Sequence, residues 1–237
     1  MRNCLICNDD ASSSFGWGAF LGLQQLVSIC EECESAFQKI TGELCRICGR
    51  EWAMVAQENQ YEDICSDCFR WEDDSSTTGL LQQNRSVYHY NEHMKEVLAR
   101  YKFRGDAVLV QVFRKAFHQT FEATWSKDLP ILVPIPLSTD RKYERGFNQS
   151  LLLAELLLGN PEELLSKSNS EKQSKKARKE RMERENTFYV PDPEAVKDKS
   201  ILLIDDIYTT GTTVRMAAKV LKDAGAKDIC SYTLVRS

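Results

Sequence analysis

Ile201-Leu-Leu-Ile-Asp-Asp-Ile-Tyr-Thr-Thr-Gly-Thr-Thr213 is the stretch on which the reading of this chain turns. Four consecutive apolar residues, Ile201, Leu202, Leu203 and Ile204, predict a strand buried on both faces, as in a parallel sheet. Asp205 and Asp206 are expected where that strand ends. A turn of small hydroxyl residues and one glycine follows, and residues 214–224 carry the apolar spacing of a helix. In an open α/β sheet, ligands bind just beyond the carboxyl ends of the strands. Amides and hydroxyls at a turn that opens a helix suit a phosphate, and the helix dipole favours its charge. One loop would therefore set an anion cradle beside two acids able to hold a diol or a metal.

The stretch resembles the phosphoribosyl pyrophosphate (PRPP) signature of type I phosphoribosyltransferases: an apolar strand, Asp/Glu-Asp, two variable residues, then Thr-Thr-Gly-Thr/Ser-Thr. The match runs through all thirteen residues. An ordinary strand followed by a polar helix cap would not require two acids ahead of Thr-Thr-Gly-Thr-Thr. The resemblance implies that Asp205 and Asp206 contact the ribose 2′- and 3′-hydroxyls. It implies that Thr209, Thr210, Gly211, Thr212 and Thr213 wrap the 5′-phosphate.

Working outward, the other marked pattern is cysteine. Eight of the nine cysteines form four Cys-x-x-Cys pairs within the first 68 residues: Cys4/Cys7, Cys30/Cys33, Cys45/Cys48 and Cys65/Cys68. Four such pairs in tandem fit closed tetrahedral thiolate zinc sites better than a redox pair. Combining neighbours gives two sites, Cys4, Cys7, Cys30, Cys33 and Cys45, Cys48, Cys65, Cys68; a cross-braced pairing of first with third is the alternative. Gly49 after Cys48 suits the tight turn of a zinc knuckle. Disulfides and iron–sulfur binding are the other readings, and the absence of a secretion signal at the start disfavours disulfides. The zincs are expected to be structural, because a Cys4 site leaves no position for water. A segment this short, with few aliphatics, is expected to need them to fold. Cys230, alone in an alternating strand near the end, reads as a core residue.

The net charge of −4 hides an asymmetry. Residues 1–80 carry 14 acids against 5 bases, a net −9, and the remaining 26 bases and 21 acids give +5. Residues 167–184 hold eight bases against three acids, a polyanion signal that nucleic acid or pyrophosphate would satisfy. No run of about 18 apolar residues exists, so membrane association is expected only peripherally or through a partner. The polar stretch Trp71-Glu-Asp-Asp-Ser-Ser-Thr-Thr-Gly79 reads as a break. The expected organisation is a zinc-binding module over residues 1–72, a linker over 73–84 and a phosphoribosyltransferase-like domain over 85–237. Within the last, strands are expected at 87–90, 130–136, 187–190 and 228–235, and helices at 92–103, 106–117 and 140–158. Residues 171–185 read as a charged helix or loop. Strands alternating with helices predict an α/β fold with a mainly parallel sheet flanked by helices.

Three further constellations stand out. Val133-Pro-Ile-Pro-Leu137, Arg141 and Glu144-Arg-Gly-Phe-Asn-Gln149 place Arg141 and Arg145 after a strand end, where arginine can grip a pyrophosphate bidentately. Lys102-Phe-Arg-Gly-Asp106 sets Lys102 and Arg104 past a helix terminus, as phosphate contacts or as complements to the helix dipole. Lys172-Gln-Ser-Lys-Lys176 precedes the short strand at 187–190, where a lid over the substrate or a DNA-binding face would carry Lys175 and Lys176.

Together, in this order and spacing, these motifs closely resemble the ComF family, the late-competence proteins of transformable bacteria, in the variant of Gram-positive bacilli. The resemblance covers nearly the whole chain. It implies a competence protein acting in the cytoplasm on incoming single-stranded DNA, beside an ATP-dependent translocase or helicase. It implies PRPP binding with Mg²⁺ and two structural zincs. The alternative is an active phosphoribosyltransferase, of nucleotide-salvage or amidophosphoribosyl type. Catalysis and its acceptor are left open, because no side chain in the sequence identifies itself as the acceptor's general base. The zinc module is the spare element expected to lie over the site in place of a hood.

Overall fold

Side chains along the signature strand alternate between two cores. Leu202 and Ile204 enter one, Ile201 and Leu203 the other, and all four are at most 1% exposed. A strand covered on both faces sits inside a sheet, with elements layered above and below it. The computed structural model describes residues 3–11, 29–103, 105–125, 129–157, 159–168 and 187–237. In chain order they form α1 (Glu31–Ser35), β1 (Gln60–Tyr61), β2 (Ile64–Cys65), α2 (Ser66–Asp73), β3 (Gln83–His89), α3 (Glu92–Phe103) and α4 (Val110–Thr124). Then come β4 (Ile131–Pro134), α5 (Thr139–Arg145), α6 (Gln149–Ala154), β5 (Ser166–Lys167), β6 (Phe188–Tyr189), β7 (Ser200–Tyr208), α7 (Thr212–Asp223) and β8 (Asp228–Arg236). The main sheet has the order β3-β8-β7-β4 with every pairing parallel, the expected α/β architecture.

One face of the sheet carries α3, α4 and α6. Met94, Val97, Leu98, Phe113, Phe117 and Leu153 pack there around Tyr232, whose ring stacks on Phe117 with centroids 4.3 Å apart. The other face is covered by α7 and by the second cysteine cluster. Cys45, Cys48, Cys65 and Cys68 share one apolar core with Val214, Ala217, Leu221 and Ile229. The seam is also polar: Asn84 of β3 donates its side-chain amide to the Cys48 carbonyl at 3.1 Å, and its backbone N–H to the Ile47 carbonyl at 2.6 Å. Gly49 has φ +68, and a Cβ on it would lie 2.8 Å from the Asn84 carbonyl oxygen. The knuckle glycine therefore sets both the turn and the approach to the sheet.

Register places the site. Pro134 stands opposite Ile204 and β4 ends there, while β7 runs on to Tyr208 with β8 still alongside, Asp205 opposite Thr233 and Tyr208 opposite Arg236. The strand thus carries Asp205 and Asp206 within it rather than stopping at them. Both acids therefore fall in the stretch of β7 that lies past its ladder with β4.

The helix expected over 140–158 is two helices. Gly146 ends α5 in the left-handed region at φ +77, and Asn148 caps α6 by accepting the Ser150 N–H at 3.1 Å. Asp106 makes no capping bond to the next helix; it accepts from Arg100 at 3.1 Å instead. The strand read at 87–90 begins at Gln83, and the one at 187–190 is β6, antiparallel to β5. The charged segment 171–185 lies outside the described residues. Among the described residues no helix is long and apolar enough to cross a membrane.

Candidate functional site

Asp205 and Asp206 are neighbours on one strand, yet each has its own partner. Asp205 Oδ1 accepts the Ser150 hydroxyl at 3.0 Å and the backbone N–H of Asp206 at 2.9 Å. Asp206 Oδ2 lies 2.8 Å from Lys102 Nζ, an ion pair whose side chains are only 12% and 15% exposed. Burial pushes the Asp205 carboxyl up to about 7 and the charge of Asp206 adds to it; the Asp206 amide, Ser150 and Lys102 pull the other way. The pair therefore sets a carboxylate site engaged by Lys102 at Asp206 beside a carboxyl at Asp205 that ionises near neutrality.

The loop after β7 has the chemistry of an anion cradle. Thr209 and Thr210 are exposed, and Gly211, at φ +79, precedes α7 without a side-chain cap on the helix amides. Thr210 Oγ1 lies 2.8 Å from Thr212 Oγ1 and accepts the Thr212 N–H at 3.4 Å, so the hydroxyls gather at the amino end of α7. Thr213 is exposed on the first turn of the helix. Helix-terminal amides, hydroxyls and the dipole of a 12-residue helix coincide there.

One cation touches the acids, and two more act on them only through charge. Lys102, at the last turn of α3, reaches Asp206. Lys167 on β5 lies with its ammonium over the Phe188 ring at 4.6 Å; burial and then the charge of Arg141 push that ammonium down, while Asp205 opposes them. Those electrostatics put Arg141, Lys167 and Asp205 in one neighbourhood. Arg141 is exposed on α5, and Arg145 donates to the Gln149 side-chain oxygen at 2.8 Å, which orients α5 against α6. Arg104, Lys175 and Lys176 lie outside the described residues.

Ser150, Lys167, Trp71, Arg215 and Arg236 are site neighbours that sequence reasoning missed as individuals. Lys167 belongs to the basic run already noted. Arg215 had a legible signal: it is a charged residue on the apolar side of a helix, one turn from Ala218. Ser150 and Trp71 had none, because their partners Asp205 and Thr210 are 55 and 139 residues away.

The cysteines form two groups, Cys4, Cys7, Cys30, Cys33 and Cys45, Cys48, Cys65, Cys68, with the ligand atoms of each within 4.8 Å of one another. Neighbouring pairs combine, and the cross-braced alternative is ruled out. Cys7 and Cys30 Sγ are 3.6 Å apart, as are Cys48 and Cys65 Sγ. A tetrahedron of Zn–S bonds has edges of about 3.8 Å, so the sulfurs suit that ion, whereas a disulfide needs about 2 Å. Backbone N–H groups of Ile6, Cys33 and Cys65 donate to Cys4, Cys30 and Cys45 Sγ at 3.4, 3.4 and 3.3 Å, as thiolates require. The first cluster is tied to α3, where Arg100 donates to the carbonyls of Leu5 and Ile6.

Over residues 152–237 the chain matches the phosphoribosyl transferase domain family. It is 43% identical over 235 residues to competence protein ComFC of Bacillus subtilis (strain 168), covering 99% of this chain and 95% of that protein. To competence protein ComFC of Streptococcus pneumoniae it is 35% identical over 234 residues, covering 98% of this chain and 99% of that protein. To competence protein F of Haemophilus influenzae it is 23% identical over 221 residues, covering 88% and 90%. With identity of this depth running nearly end to end, through the cysteine clusters, the acid pair and the Thr/Gly loop, the chain belongs to the ComFC family of competence proteins and carries a phosphoribosyltransferase domain.

Proposed function

We propose that the site at Asp205, Asp206 and the 209–213 loop binds PRPP with Mg²⁺ and that the protein serves natural competence by handling incoming single-stranded DNA in the cytoplasm. The observation that carries the PRPP reading is the juxtaposition of Asp205 and Asp206 with the hydroxyl-rich 209–211 loop and with Lys102, Lys167 and Arg141 adding positive charge. The acids would accept from the ribose diol. Thr209, Thr210, Gly211, Thr212 and Thr213 would surround the 5′-phosphate, and the cations would face the pyrophosphate. Lys102 pairs with Asp206, so a diol held by Asp206 would compete with its ammonium, which would then face the pyrophosphate. Bound with the ligand, Mg²⁺ would neutralise part of the pyrophosphate charge. The competence reading rests on the relatives named above. The DNA contact is placed on the basic surface of residues 81–237 rather than on the acidic first 80 residues, because phosphate affinity follows positive charge. A translocase of the same uptake machinery is the partner this reading expects.

Calorimetric titration of PRPP with Mg²⁺ into zinc-loaded protein, beside the Asp205→Asn/Asp206→Asn variant, tests the site. Micromolar binding that the double variant loses is the expected outcome. A well-folded wild type that binds no PRPP would refute it and leave the fold serving DNA and protein contacts alone.

A further inference from the structure

The Thr/Gly loop is gripped by residues anchored at the second cysteine cluster. Trp71 follows Cys68 by one turn on α2, and its Nε1–H donates to the Thr210 carbonyl at 3.1 Å. Arg236, at the end of β8, donates Nη1 to the Thr209 carbonyl at 2.9 Å and to the Tyr208 carbonyl at 3.3 Å, while its Nη2 approaches Cys48 Sγ at 3.8 Å. Arg215 joins the two. Its guanidinium lies over the Trp71 ring at 4.8 Å and donates Nη1 to the Tyr208 hydroxyl at 2.7 Å. Gly211 leaves room for this stack: a Cβ there would stand 2.2 Å from the Tyr208 hydroxyl and 2.3 Å from Arg215 Nη1.

Both guanidiniums are buried and keep nitrogen atoms with no hydrogen-bond partner. Arg215 is 2% exposed, its Nε and Nη2 have no hydrogen-bond partner, and no carboxylate pairs with it among the described residues. Arg236 is 5% exposed; its Nε has no partner, while Nη1 also donates to the Ser237 oxygen and the guanidinium lies over the Tyr208 ring at 5.0 Å. A buried unpaired cation is costly unless an anion compensates it. Two sources of negative charge are at hand: a zinc ion held by four thiolates has a net charge of about −2, and a phosphate dianion in the loop has about the same. Arg236 touches both cluster and loop, and Arg215 underlies the loop at Gly211.

We propose that metal occupancy of Cys45, Cys48, Cys65 and Cys68 and phosphate binding at the 209–213 loop are thermodynamically linked, with Trp71, Arg215 and Arg236 as the positioning residues that connect them. The proposal rests on the reading of that loop as the phosphate site. Metal fixes the turn of α2 that carries Trp71; Trp71 and Arg236 then fix the two loop carbonyls, which orients the adjoining amides. Linkage is reciprocal, so bound phosphate holds the metal more tightly as well.

The test uses full-length, zinc-loaded protein and ribose 5-phosphate as probe. Zinc transfer to a chromophoric chelator is followed with and without saturating ribose 5-phosphate, in wild type and in Trp71→Phe. The Phe variant keeps a ring under Arg215 and removes only the N–H donor. In wild type the ligand slows release of one zinc equivalent at least about fivefold, the factor that one net hydrogen bond supplies. In Trp71→Phe, at unchanged circular dichroism and zinc content, ribose 5-phosphate binds about fivefold more weakly and protects the zinc less. If wild type binds ribose 5-phosphate and its zinc release is unaltered, the linkage is wrong while the phosphate site stands. If wild type binds no ribose 5-phosphate, the phosphate reading fails and the linkage falls with it.

Discussion

At the scale of single residues, Asp205 and Asp206 look interchangeable in the sequence and are not in the structure. Asp206 is committed to Lys102, so Asp206→Asn strands a largely buried ammonium and is expected to cost about 3 kcal/mol in denaturant unfolding, most of it recovered in Lys102→Met/Asp206→Asn. An equal loss in single and double variants would show that the pair is not what matters. Asp205 behaves oppositely. Its carboxyl ionises near pH 4 in the unfolded chain and near 7 in the folded protein, so its burial subtracts stability increasingly between those values and in full above 7. Asp205→Asn is therefore expected to be more stable than wild type, by a margin that grows from pH 5 to pH 8 and reaches at most about 4 kcal/mol. A margin that is flat with pH would contradict this. Ligand affinity in wild type should rise as pH passes through about 7, because the ionised carboxylate is the better acceptor for a diol. Gly211→Ala should lose phosphate binding and about 2–4 kcal/mol, from left-handed backbone strain and the collision with Tyr208 and Arg215. Thermal unfolding with and without ribose 5-phosphate reads both effects. That a glycine is needed at 211 was visible in the motif; that Arg215 is what fills the space beneath it was not.

At the scale of elements, hydrophobic period located most of what builds the site. The double-sided strand, the helix at Glu92–Phe103 and the closing strand all lie where their apolar spacing put them, because their burial is decided by residues within the element. The misreadings share another cause. The 140–158 stretch is rich enough in leucine to look like one helix, yet Gly146 and Asn148 supply a stop and a cap that outweigh it. The break matters for chemistry, since it begins α6 afresh and brings Ser150 to Asp205. β7 extends through the acids because β8 continues to hydrogen-bond it, a fact about its neighbour rather than its own sequence. The cysteine elements make the clearest prediction. Few apolar side chains hold residues 29–73 together apart from the thiols, so chelation should melt them, seen as loss of their circular dichroism. The second cluster shares its core with α7 and β8, so metal removal should also lower the melting temperature of the sheet, in one cooperative transition. Full retention of signal after complete metal removal would defeat both.

At the scale of the whole molecule, charge separates along the chain, −9 over residues 1–80 against +5 over the rest. If single-stranded DNA binds the basic part, its affinity should fall steeply with salt, and Lys175→Glu/Lys176→Glu should reduce the slope of log K against log salt by at least about 1. A flat response in wild type would remove DNA from the basic surface. The sequence by itself determined the α/β class, the four Cys-x-x-Cys pairs, the adjacent acids and the Thr/Gly loop, and left the grouping of those pairs to the structure. Each is written in local spacing: an apolar run, two residues between thiols, an acid pair abutting a hydroxyl-rich turn. Tertiary structure alone decided what those parts touch. It set Lys102 on Asp206, Ser150 on Asp205, and the Trp71 and Arg236 donors on the carbonyls of the loop, joining residues up to 139 positions apart. Such contacts arise because the sheet and its two covering layers bury their apolar faces together, and the polar groups carried into that interior must find partners wherever packing leaves them.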